Sequence, residues 1–421
     1  MKPSGRIDPL PWMTAPETTA VVDVLTATGE PARFVGGCVR DAVLGRSAKD
    51  VDLATPLPPA EVVRRLEAAG LKAIPTGIAH GTVTALSGDR HYEITTLRRD
   101  VETFGRHATV AFTDDWTEDA ARRDFTMNAM FCDRDGTLYD PFQGRDDLAA
   151  GRVRFVGDAR QRIDEDALRL LRFFRFYAHY GHPPPDREAI AACAEKAAGL
   201  DILSGERLRD EMLRLLEADT APSVLRLMAE HDVLRHCLPL PHMPDEHSFG
   251  RLAHLIALEQ RTRDVDPLRR LRALVMGSTA DEALILAGRL RLSVARGRRL
   301  ALMAAPSAVL SRGATSADLH QAIYRHGREA LFDWALLGWA DTPPQEGETT
   351  WRQIVTEIRS WTIPVFPLTG RDVLERGLKP GRGVGRLLDA VETWWAERDY
   401  EPTRDQCLRQ LERLIAAAPP E

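Results

Sequence analysis

The chain has 421 residues, of which 44% are hydrophobic and 28% are charged, and its formal net charge is −6 at pH 7. This length exceeds that of most single-core domains, so we expect two or more domains. No apolar run approaches the ~20 residues that a membrane-spanning helix requires. Five scattered cysteines without a CxxC pair exclude a disulfide framework and a structural zinc site. The acidic balance argues against a protein that coats nucleic acid nonspecifically, although local basic faces can still bind RNA.

The first residues of the chain contain no apolar core long enough for a signal peptide. Unpaired cysteines are typical of proteins in the reducing cytosol. We therefore expect a cytoplasmic protein that does not bind membranes, and the sequence gives no sign of an obligate protein partner.

Strand-like and helix-like segments alternate in the first part of the chain. RFVGGCV (33–39) predicts a short buried strand that ends at a glycine pair, and EVVRRLEAAG (61–70) predicts an amphipathic helix that ends at glycine. GTVTALSG (81–88) and RHYEITTLR (90–98) alternate apolar and polar residues around a Gly-Asp turn, which predicts a β-hairpin. This part of the chain is therefore predicted to mix strands and helices.

The character of the sequence changes beyond Asp140. Apolar residues recur at intervals of three and four over 165–218 and again over 223–304, which is the period of an amphipathic helix. The stretch 341–350 contains two prolines and a glycine and is the clearest candidate for a linker. The sequence therefore predicts an α+β fold, in which a head with a small mixed β-sheet precedes an all-helical remainder.

Two carboxylates, Asp50 and Asp52, lie in the segment SAKDVDLAT. In a strand, residues two apart point to the same face, so both side chains would converge on one point. Hard cations such as Mg²⁺ take oxygen ligands, often one or two carboxylates together with substrate phosphates. Two such metals ~3.5–4 Å apart can activate a 3′-hydroxyl and stabilise a leaving pyrophosphate. The pair alone is weak, because a solvated turn explains most DxD sequences.

Upstream of this pair lies a candidate phosphate cradle formed by Gly36, Gly37 and Arg40. Paired glycines allow backbone N–H groups to approach a phosphate, and a helix N-terminus favours negative charge. The guanidinium of Arg40 can bind the same phosphate. A simple strand-to-helix turn explains the glycine pair equally well. Glu93, on the second strand of the predicted hairpin, is a candidate third metal ligand, and an exposed strand residue is the alternative.

Five segments together resemble one known family. They are FVGGCVRDAVLGRSAKDVDLAT (34–55), RRDFTMNAM (122–130), DPFQGRDDL (140–148), RIDEDALRLLRFFRF (162–176) and LSGERLRDEM (203–212). Their order and content are similar to the motifs of class II tRNA nucleotidyltransferases, the CCA-adding enzymes, and of the related bacterial poly(A) polymerases. The resemblance implies a nucleotidyltransferase head over 21–145, a helical neck that recognises the nucleotide base over 146–218, and a helical body and tail that bind tRNA over 219–421.

The resemblance also implies an activity, which is template-independent addition of CCA to the 3′ end of tRNA from CTP and ATP with Mg²⁺ as cofactor. It assigns metal binding to the two aspartates and triphosphate binding to the cradle. The implied nucleotide-binding residues are Gly36, Gly37, Arg40, Arg123, Asp166, Arg169, Arg172 and Arg175. The implied supporting residues are Asp41, Asp124, Asn128, Glu165, Glu206 and Arg207.

Asp166 and Arg169 are the residues that the resemblance assigns to reading the base. Their i, i+3 spacing places both side chains on one face of a continuous helix. An aspartate offers acceptors and an arginine offers donors, so the two can bind the edge of an unstacked base without a template. The alternative is a salt-bridged helix face on which Asp166 pairs with Arg169.

Within the family, the segment TGIAHGTV (76–83) resembles CCA-adding enzymes more than poly(A) polymerases. The segment 98–124 has the length of the flexible loop that we expect in enzymes that add the terminal A. The tail segment 366–395 predicts two helices around a glycine-rich turn from Gly377 to Gly385, which either contacts tRNA phosphates or is a tight helix connection. A poly(A) polymerase and a catalytically inactive RNA-binding relative are the alternative functions.

Overall fold

The computed structural model describes residues 1–48, 50–78, 81–104, 107–238, 240, 242–306, 310, 314–343 and 346–417. It divides into two compact units, Met1–Met243 and Pro244–Glu421. The first unit extends beyond position 219, the predicted start of the body. Within the described ranges, no helix is long and apolar enough to cross a membrane.

The first unit contains a mixed β-sheet that is covered by short helices. The strands of this sheet are β1 (Gly5–Arg6), β2 (Arg33–Val35), β3 (Val51–Thr55), β4 (Lys72–Gly77), β5 (Thr82–Ser87), β6 (Arg90–Thr96), β9 (Phe131–Cys132) and β10 (Thr137–Tyr139). Their order across the sheet is β1-β10-β9-β2-β3-β6-β5-β4. The expectation of a mixed sheet in the N-terminal region is confirmed.

The predicted hairpin is present as β5 and β6. Ser87 pairs with Arg90, so two residues, Gly88 and Asp89, form the turn. β6 then pairs in parallel with β3, whereas the other neighbouring strands of the sheet pair antiparallel. This parallel pairing brings the DxD segment beside the hairpin strand that contains Glu93.

The segment 98–124, predicted as a flexible loop, instead forms secondary structure. Strands β7 (Arg98–Phe104) and β8 (His107–Phe112) pair antiparallel in a separate two-stranded sheet, and helix α4 (Trp116–Ala121) follows. Trp116 and Ala120 of α4 pack against the main sheet in a buried cluster with Phe131. Of the segment 76–83, Ala79 and His80 lie outside the described residues.

Helices form the rest of the first unit. They are α1 (Pro16–Thr26), α2 (Gly37–Val43), α3 (Pro59–Ala68), α5 (Gly144–Ala149), α6 (Ala159–Glu165), α7 (Leu168–Tyr180), α8 (Arg187–Glu195), α9 (Gly205–Leu216), α10 (Ala221–Glu230) and α11 (Leu234–Cys237). α2 begins at the second glycine of the predicted cradle, and α3 ends shortly before Gly70, which has a φ of +76°. Both predictions from the sequence are confirmed.

The second unit is helical throughout its described residues. Its helices are α12 (Glu246–Thr262), α13 (Pro267–Leu274), α14 (Ala280–Arg289), α15 (Val294–Leu302), α16 (Ser316–His326), α17 (Arg328–Asp341), α18 (Glu348–Ser360), α19 (Gly370–Leu374), α20 (Arg382–Ala396) and α21 (Arg404–Ala417). The predicted linker 341–350 connects α17 to α18, which pack against each other. It therefore joins two helices of one unit. The predicted glycine-rich turn is shorter than expected, because α20 begins at Arg382 and includes Gly383 and Gly385.

Helix α5 begins against the turn that follows the RRD sequence. A Cβ atom added to Gly144 would lie 2.2 Å from the backbone oxygen of Thr126, which is far inside a normal contact. Thr126 also donates a 2.7 Å hydrogen bond to the buried carboxylate of Asp147. The close backbone approach explains why the DPFQG segment has glycine at this position, and it fixes the 3-10 turn Thr126–Asn128.

We expect Gly144→Ala to lower the free energy of unfolding by about 2 kcal/mol or more, because backbone atoms must move to admit the methyl group. Gly288→Ala is the control, since nothing lies within 4 Å of its added Cβ and it lies within helix α14. That change should raise stability by about 0.5–1 kcal/mol. Urea unfolding followed by circular dichroism measures both, and equal midpoints for the two variants would contradict the close approach.

Candidate active site

The two aspartates of the DxD segment lie at the start of β3. Asp52 is in the strand and partly buried, whereas Asp50 precedes the strand and is exposed. The parallel register places Asp52 directly opposite Glu93, so both side chains lie on the same face of the sheet. In the described part of the chain, the side-chain oxygens of these three residues form no hydrogen bond or ion pair. The structure therefore brings Glu93 beside the pair.

Electrostatics at this face follow from that arrangement. Burial is the largest cause that raises the pKa of Asp52 to about 6. The negative charges of Glu93 and Asp50 act in the same direction, and the charge of Arg123 opposes them. Within the described residues, no group of three or more His, Cys, Asp or Glu side chains is arranged to hold a metal ion. The donors are instead the carboxylates of Asp50 and Asp52, with Glu93 beside them, and no cation of the described part of the chain is bonded to them. This set fits Mg²⁺, which binds proteins through one or two carboxylates and completes its shell with water and phosphate oxygens.

The glycine pair forms the turn between β2 and α2. Gly36 has a φ of +73°, a conformation that glycine adopts without strain. A Cβ on Gly36 would lie 3.5 Å from Nη1 of Arg123, and one on Gly37 would lie 3.6 Å from Nη2 of Arg40. Two guanidinium groups thus border the cradle. The Sγ atom of Cys38 lies 3.6 Å from the backbone oxygen of Asp52, so the cradle helix contacts the DxD strand.

Arg123 is held by a buried carboxylate that the sequence did not single out. Asp119 of α4 is 1% exposed and accepts 2.9 Å hydrogen bonds from Nη2 of Arg123 and from Nε of Arg122. The charges of both arginines lower the pKa of Asp119 against the opposing effect of its burial. Nε of Arg123 is buried and has no partner among the described residues. Arg123 is therefore fixed through Nη2 by Asp119, while its Nη1 borders the cradle.

Asp124 and Asn128 connect the RRD sequence to other helices. Asp124 accepts hydrogen bonds from the side chain of Asn128 at 3.1 Å and from Nε of Arg172 in α7 at 2.7 Å. Asn128 in turn accepts a 3.0 Å hydrogen bond from Nη1 of Arg40. Both residues hold arginines that were assigned to nucleotide binding, which is the supporting position expected of them.

The predicted base-reading helix is interrupted at Asp166. α6 ends at Glu165, Asp166 is extended with a φ of −155°, and α7 begins at Leu168. The argument that Asp166 and Arg169 share one face of a continuous helix is therefore wrong. The two residues are still linked, because the backbone N–H of Arg169 donates to the backbone oxygen of Asp166 at 2.9 Å.

Neither base-reading candidate pairs with the other through its side chain. Asp166 accepts a 2.7 Å hydrogen bond from Nη2 of Arg207 in α9, and Arg169 donates to Glu165 and to the backbone oxygen of Arg122. The alternative of a simple Asp166–Arg169 salt bridge is also wrong. Each candidate is held by a separate partner at the break between the two helices.

Two family models match the chain. The model described as the Poly A polymerase head domain matches residues 32–154. The model described as the probable RNA and SrmB-binding site of polymerase A matches residues 185–243. The first match contains the carboxylates, the cradle and the RRD sequence.

A human protein named CCA tRNA nucleotidyltransferase 1, mitochondrial, is 32% identical to this chain over 400 residues. The alignment covers 94% of this chain and 89% of the human protein. The chain belongs to the class II CCA-adding tRNA nucleotidyltransferase family. The resemblance on the five sequence motifs is confirmed.

Solved structures of this family share the fold. The crystal structure of the Bacillus stearothermophilus CCA-adding enzyme in complex with CTP is 26% identical, has a TM-score of 0.67, and is matched over 95% of this chain and 97% of that chain. The Thermotoga maritima CCA-adding enzyme complexed with tRNA has a TM-score of 0.67 at 19% identity and is matched over 98% and 99% of the two chains. The predicted α+β fold is confirmed.

Sequence reasoning missed two carboxylates of this family member's site, Asp119 and Glu211. Glu211 is 4% exposed, accepts a hydrogen bond from Arg175, and lies 3.6 Å from Nη1 of Arg172. It is the last acidic residue of the segment 203–212, so the motif contained it. Glu206 of the same motif is exposed at the start of α9, whereas Arg207 contacts Asp166.

Cys38 occupies the cradle helix without the properties of a nucleophile. It is 2% exposed, donates to the backbone oxygen of Val35 at 3.3 Å, and burial together with the charge of Asp52 raises the pKa of its thiol to about 12. A thiol that stays protonated neither attacks nor is readily alkylated.

We expect Cys38→Ala to retain kcat/KM within about threefold of the wild type, because no covalent step uses the sulfur. Iodoacetamide at pH 8 should leave Cys38 of the native protein unmodified in peptide mass spectrometry, while protein unfolded in guanidinium is alkylated there. Rapid alkylation of native Cys38 with loss of activity would contradict this reading.

Proposed function

We propose that this chain adds the sequence CCA to the 3′ end of tRNA, using CTP and ATP and releasing pyrophosphate. The observation that carries the proposal is the juxtaposition of two charge patterns where the end of β2 meets the start of β3, in the middle of the sheet. Among the residues that the structure describes, no protein cation forms an ion pair with Asp50 or Asp52, and the guanidinium group of Arg123 borders the glycine cradle beside them. A site of this kind suits nucleotidyl transfer, because it can hold both a divalent metal and a triphosphate.

In this mechanism Asp50 and Asp52 would hold Mg²⁺, with Glu93 as the candidate third ligand. When bound, Mg²⁺ would supply positive charge that favours deprotonation of the tRNA 3′-hydroxyl and neutralises charge on the transferred group. The backbone N–H of Gly37, together with Arg123, orients the triphosphate so that its α-phosphate faces the hydroxyl. Gly36 forms the turn that admits the phosphate, and its own N–H donates to the backbone oxygen of Met130 at 3.4 Å. Arg40 lies beneath the cradle, where its charge favours the bound phosphates.

Base choice belongs to Asp166 and Arg169 at the break between α6 and α7. Glu165 holds the Arg169 guanidinium and Arg207 holds the Asp166 carboxylate, so both groups are oriented before the nucleotide arrives. A site built to form hydrogen bonds with a base rejects a base that leaves its buried polar groups unpaired. Arg172 and Arg175 extend the basic face of α7 next to this pair.

We assign catalysis to residues 21–145, base recognition to 146–218 and tRNA binding to 219–421. The family model named for RNA binding, which matches 185–243, supports an RNA-contacting role around the boundary between the last two regions. We place the protein in the cytoplasm because its five cysteines are all free and buried, as is common in a reducing compartment. The human relative is named as a mitochondrial protein.

A nucleotide-by-nucleotide extension assay tests the activity. Purified protein with Mg²⁺ should extend tRNA ending just before the first C, the second C and the terminal A. Asp52→Asn should lower each rate about a thousandfold or more, because it removes one metal-binding charge at constant volume. EDTA should abolish wild-type activity and excess Mg²⁺ should restore it.

Asp23→Asn is the control, since Asp23 is exposed and pairs only with Arg134 among its described partners. Wild-type protein that leaves all three tRNAs unextended would overturn the proposed function. Long tails of A on unstructured RNA would identify a poly(A) polymerase instead, and tRNA binding without incorporation would identify an inactive RNA-binding relative.

Base selection gives a separate prediction. Arg169→Ala should lower the preference for CTP over UTP about 10- to 100-fold, because the donors that read the base edge are lost. Arg160→Ala is the matched change on the preceding helix, where Arg160 forms an exposed ion pair with Glu195, and it should leave the preference unchanged. Single-turnover incorporation of each nucleotide measures both, and an unaltered preference in Arg169→Ala would assign base reading to other residues.

A further inference from the structure

Helix α7 contacts the phosphate cradle with its last residue, which no motif of the sequence singled out. The phenolic Oη of Tyr180 donates a 3.1 Å hydrogen bond to Oδ1 of Asp41 in α2. Arg169, the base-reading arginine, lies in the first turn of the same helix. One helix of 13 residues therefore connects the base-reading end of the site with the cradle.

Tyr180, Asp41 and Arg40 form a closed triad. Nε and Nη2 of Arg40 contact Oδ1 of Asp41 at 3.0 and 2.9 Å, so this one oxygen receives both the arginine and the tyrosine. The guanidinium of Arg40 also lies over the Tyr180 ring, 4.4 Å from its centroid, and a second ring, that of Phe176, is 5.3 Å away. The arginine is thus held by charge on one side and by aromatic faces on another.

Burial of this triad strengthens its contacts. Arg40 is 8% exposed, and burial raises the pKa of Tyr180, with Asp41 adding to the shift and Arg40 opposing it. The phenol therefore keeps the proton that it donates at neutral pH. Loss of the ring would remove the hydrogen bond from Oη to Asp41 and the closer of the two aromatic faces beside the guanidinium, although Asp41 and Asn128 would still bind Arg40.

We propose that Tyr180 is a positioning residue that fixes Arg40 beneath the phosphate cradle and so sets triphosphate affinity for every nucleotide that the site accepts. This inference rests on the proposed function. Tyr180 acts through Arg40 and Asp41 and touches neither the base nor the reacting atoms. Its removal should therefore weaken CTP and ATP equally and should not change which base is chosen.

The chain contains a matched triad for a control. Arg33 lies over the ring of Tyr139 at 3.7 Å, and Asp133 accepts hydrogen bonds from Oη of Tyr139 at 2.7 Å and from Nε of Arg33 at 3.2 Å. These residues belong to β2, β10 and the turn before β10, and none of them is part of the site described above. Tyr139→Phe removes the same kind of hydrogen bond as Tyr180→Phe.

The test uses full-length protein, tRNA primers and inorganic tripolyphosphate, a competitive probe of the cradle that carries no base. We expect Tyr180→Phe to raise the inhibition constant of tripolyphosphate about threefold, as the loss of one hydrogen bond predicts. Tyr180→Leu, which also removes the ring, should raise it about tenfold. KM for CTP and for ATP should rise by the same factors, with KM for tRNA and the CTP-to-UTP preference unchanged.

Tyr139→Phe should leave all of these constants at wild-type values, even where it lowers the thermal midpoint. An unchanged inhibition constant in a cooperatively folded Tyr180→Leu protein would overturn the proposal, as would a selective loss of CTP or ATP. If Tyr180→Leu does not fold, the threefold shift in Tyr180→Phe decides the outcome. Failure of the proposed function is distinguishable, because the wild type would then extend no tRNA.

Discussion

The parallel pairing of β3 with β6 is the constraint on which the rest of the site depends. It places Asp52 directly beside Glu93 on one face of the sheet, where no cation of the described residues is bonded to either carboxylate. Burial and neighbouring negative charge raise the pKa of Asp52 to about 6. The carboxylates on this face repel one another, and a bound divalent cation would neutralise their charge. An arginine bonded to these oxygens would neutralise the carboxylates and weaken their affinity for a metal ion.

The arginines around this face do not bind the metal-site carboxylates, because each of them is paired with another carboxylate. Asp119 holds Arg123, and Asp124 holds Arg172. Four more arginines are paired with a carboxylate in the same way: Arg40 with Asp41, Arg169 with Glu165, Arg175 with Glu211, and Arg207 with Asp166. Buried pairs of this kind add little net stability, but breaking one costs about 3–5 kcal/mol. Their effect is to fix where positive charge lies, so that guanidinium groups border the cradle and leave the metal face open.

Local pattern predicted much of this fold. Alternation around Gly88 and Asp89 predicted the hairpin, and the glycine pair predicted the turn into α2, because both depend on residues that are neighbours in sequence. The break at Asp166 was not predictable from the same rules, since the apolar pattern continues through it without proline or glycine. It is held by Arg207, 41 positions away in the chain.

Long-range pairing also explains which site residues were missed. The sequence analysis did not single out Asp119 or Glu211, because nothing in the local sequence distinguishes a buried acidic residue of a helix from an exposed one. Glu211 contacts Arg175 across 36 positions, and Arg172 reaches Asp124 across 48, and neither separation leaves a signal in a single sequence. Family motifs predicted the segments correctly, but only the packing of α7 against α9 shows which acid holds which arginine.

The second unit shows that arginine content alone identifies no RNA-binding surface. Arg270 is fully buried and pairs with Glu259, which is also fully buried, and Arg269 contacts both Glu259 and Asp333. These arginines connect α12, α13 and α17 and cannot meet a phosphate without unfolding the unit. Arginines buried in this way differ from Arg123, whose guanidinium borders the glycine cradle beside Gly36. Whether an arginine is buried in an ion pair or borders an open surface depends on which carboxylate the fold places beside it. The amino-acid composition alone does not show this.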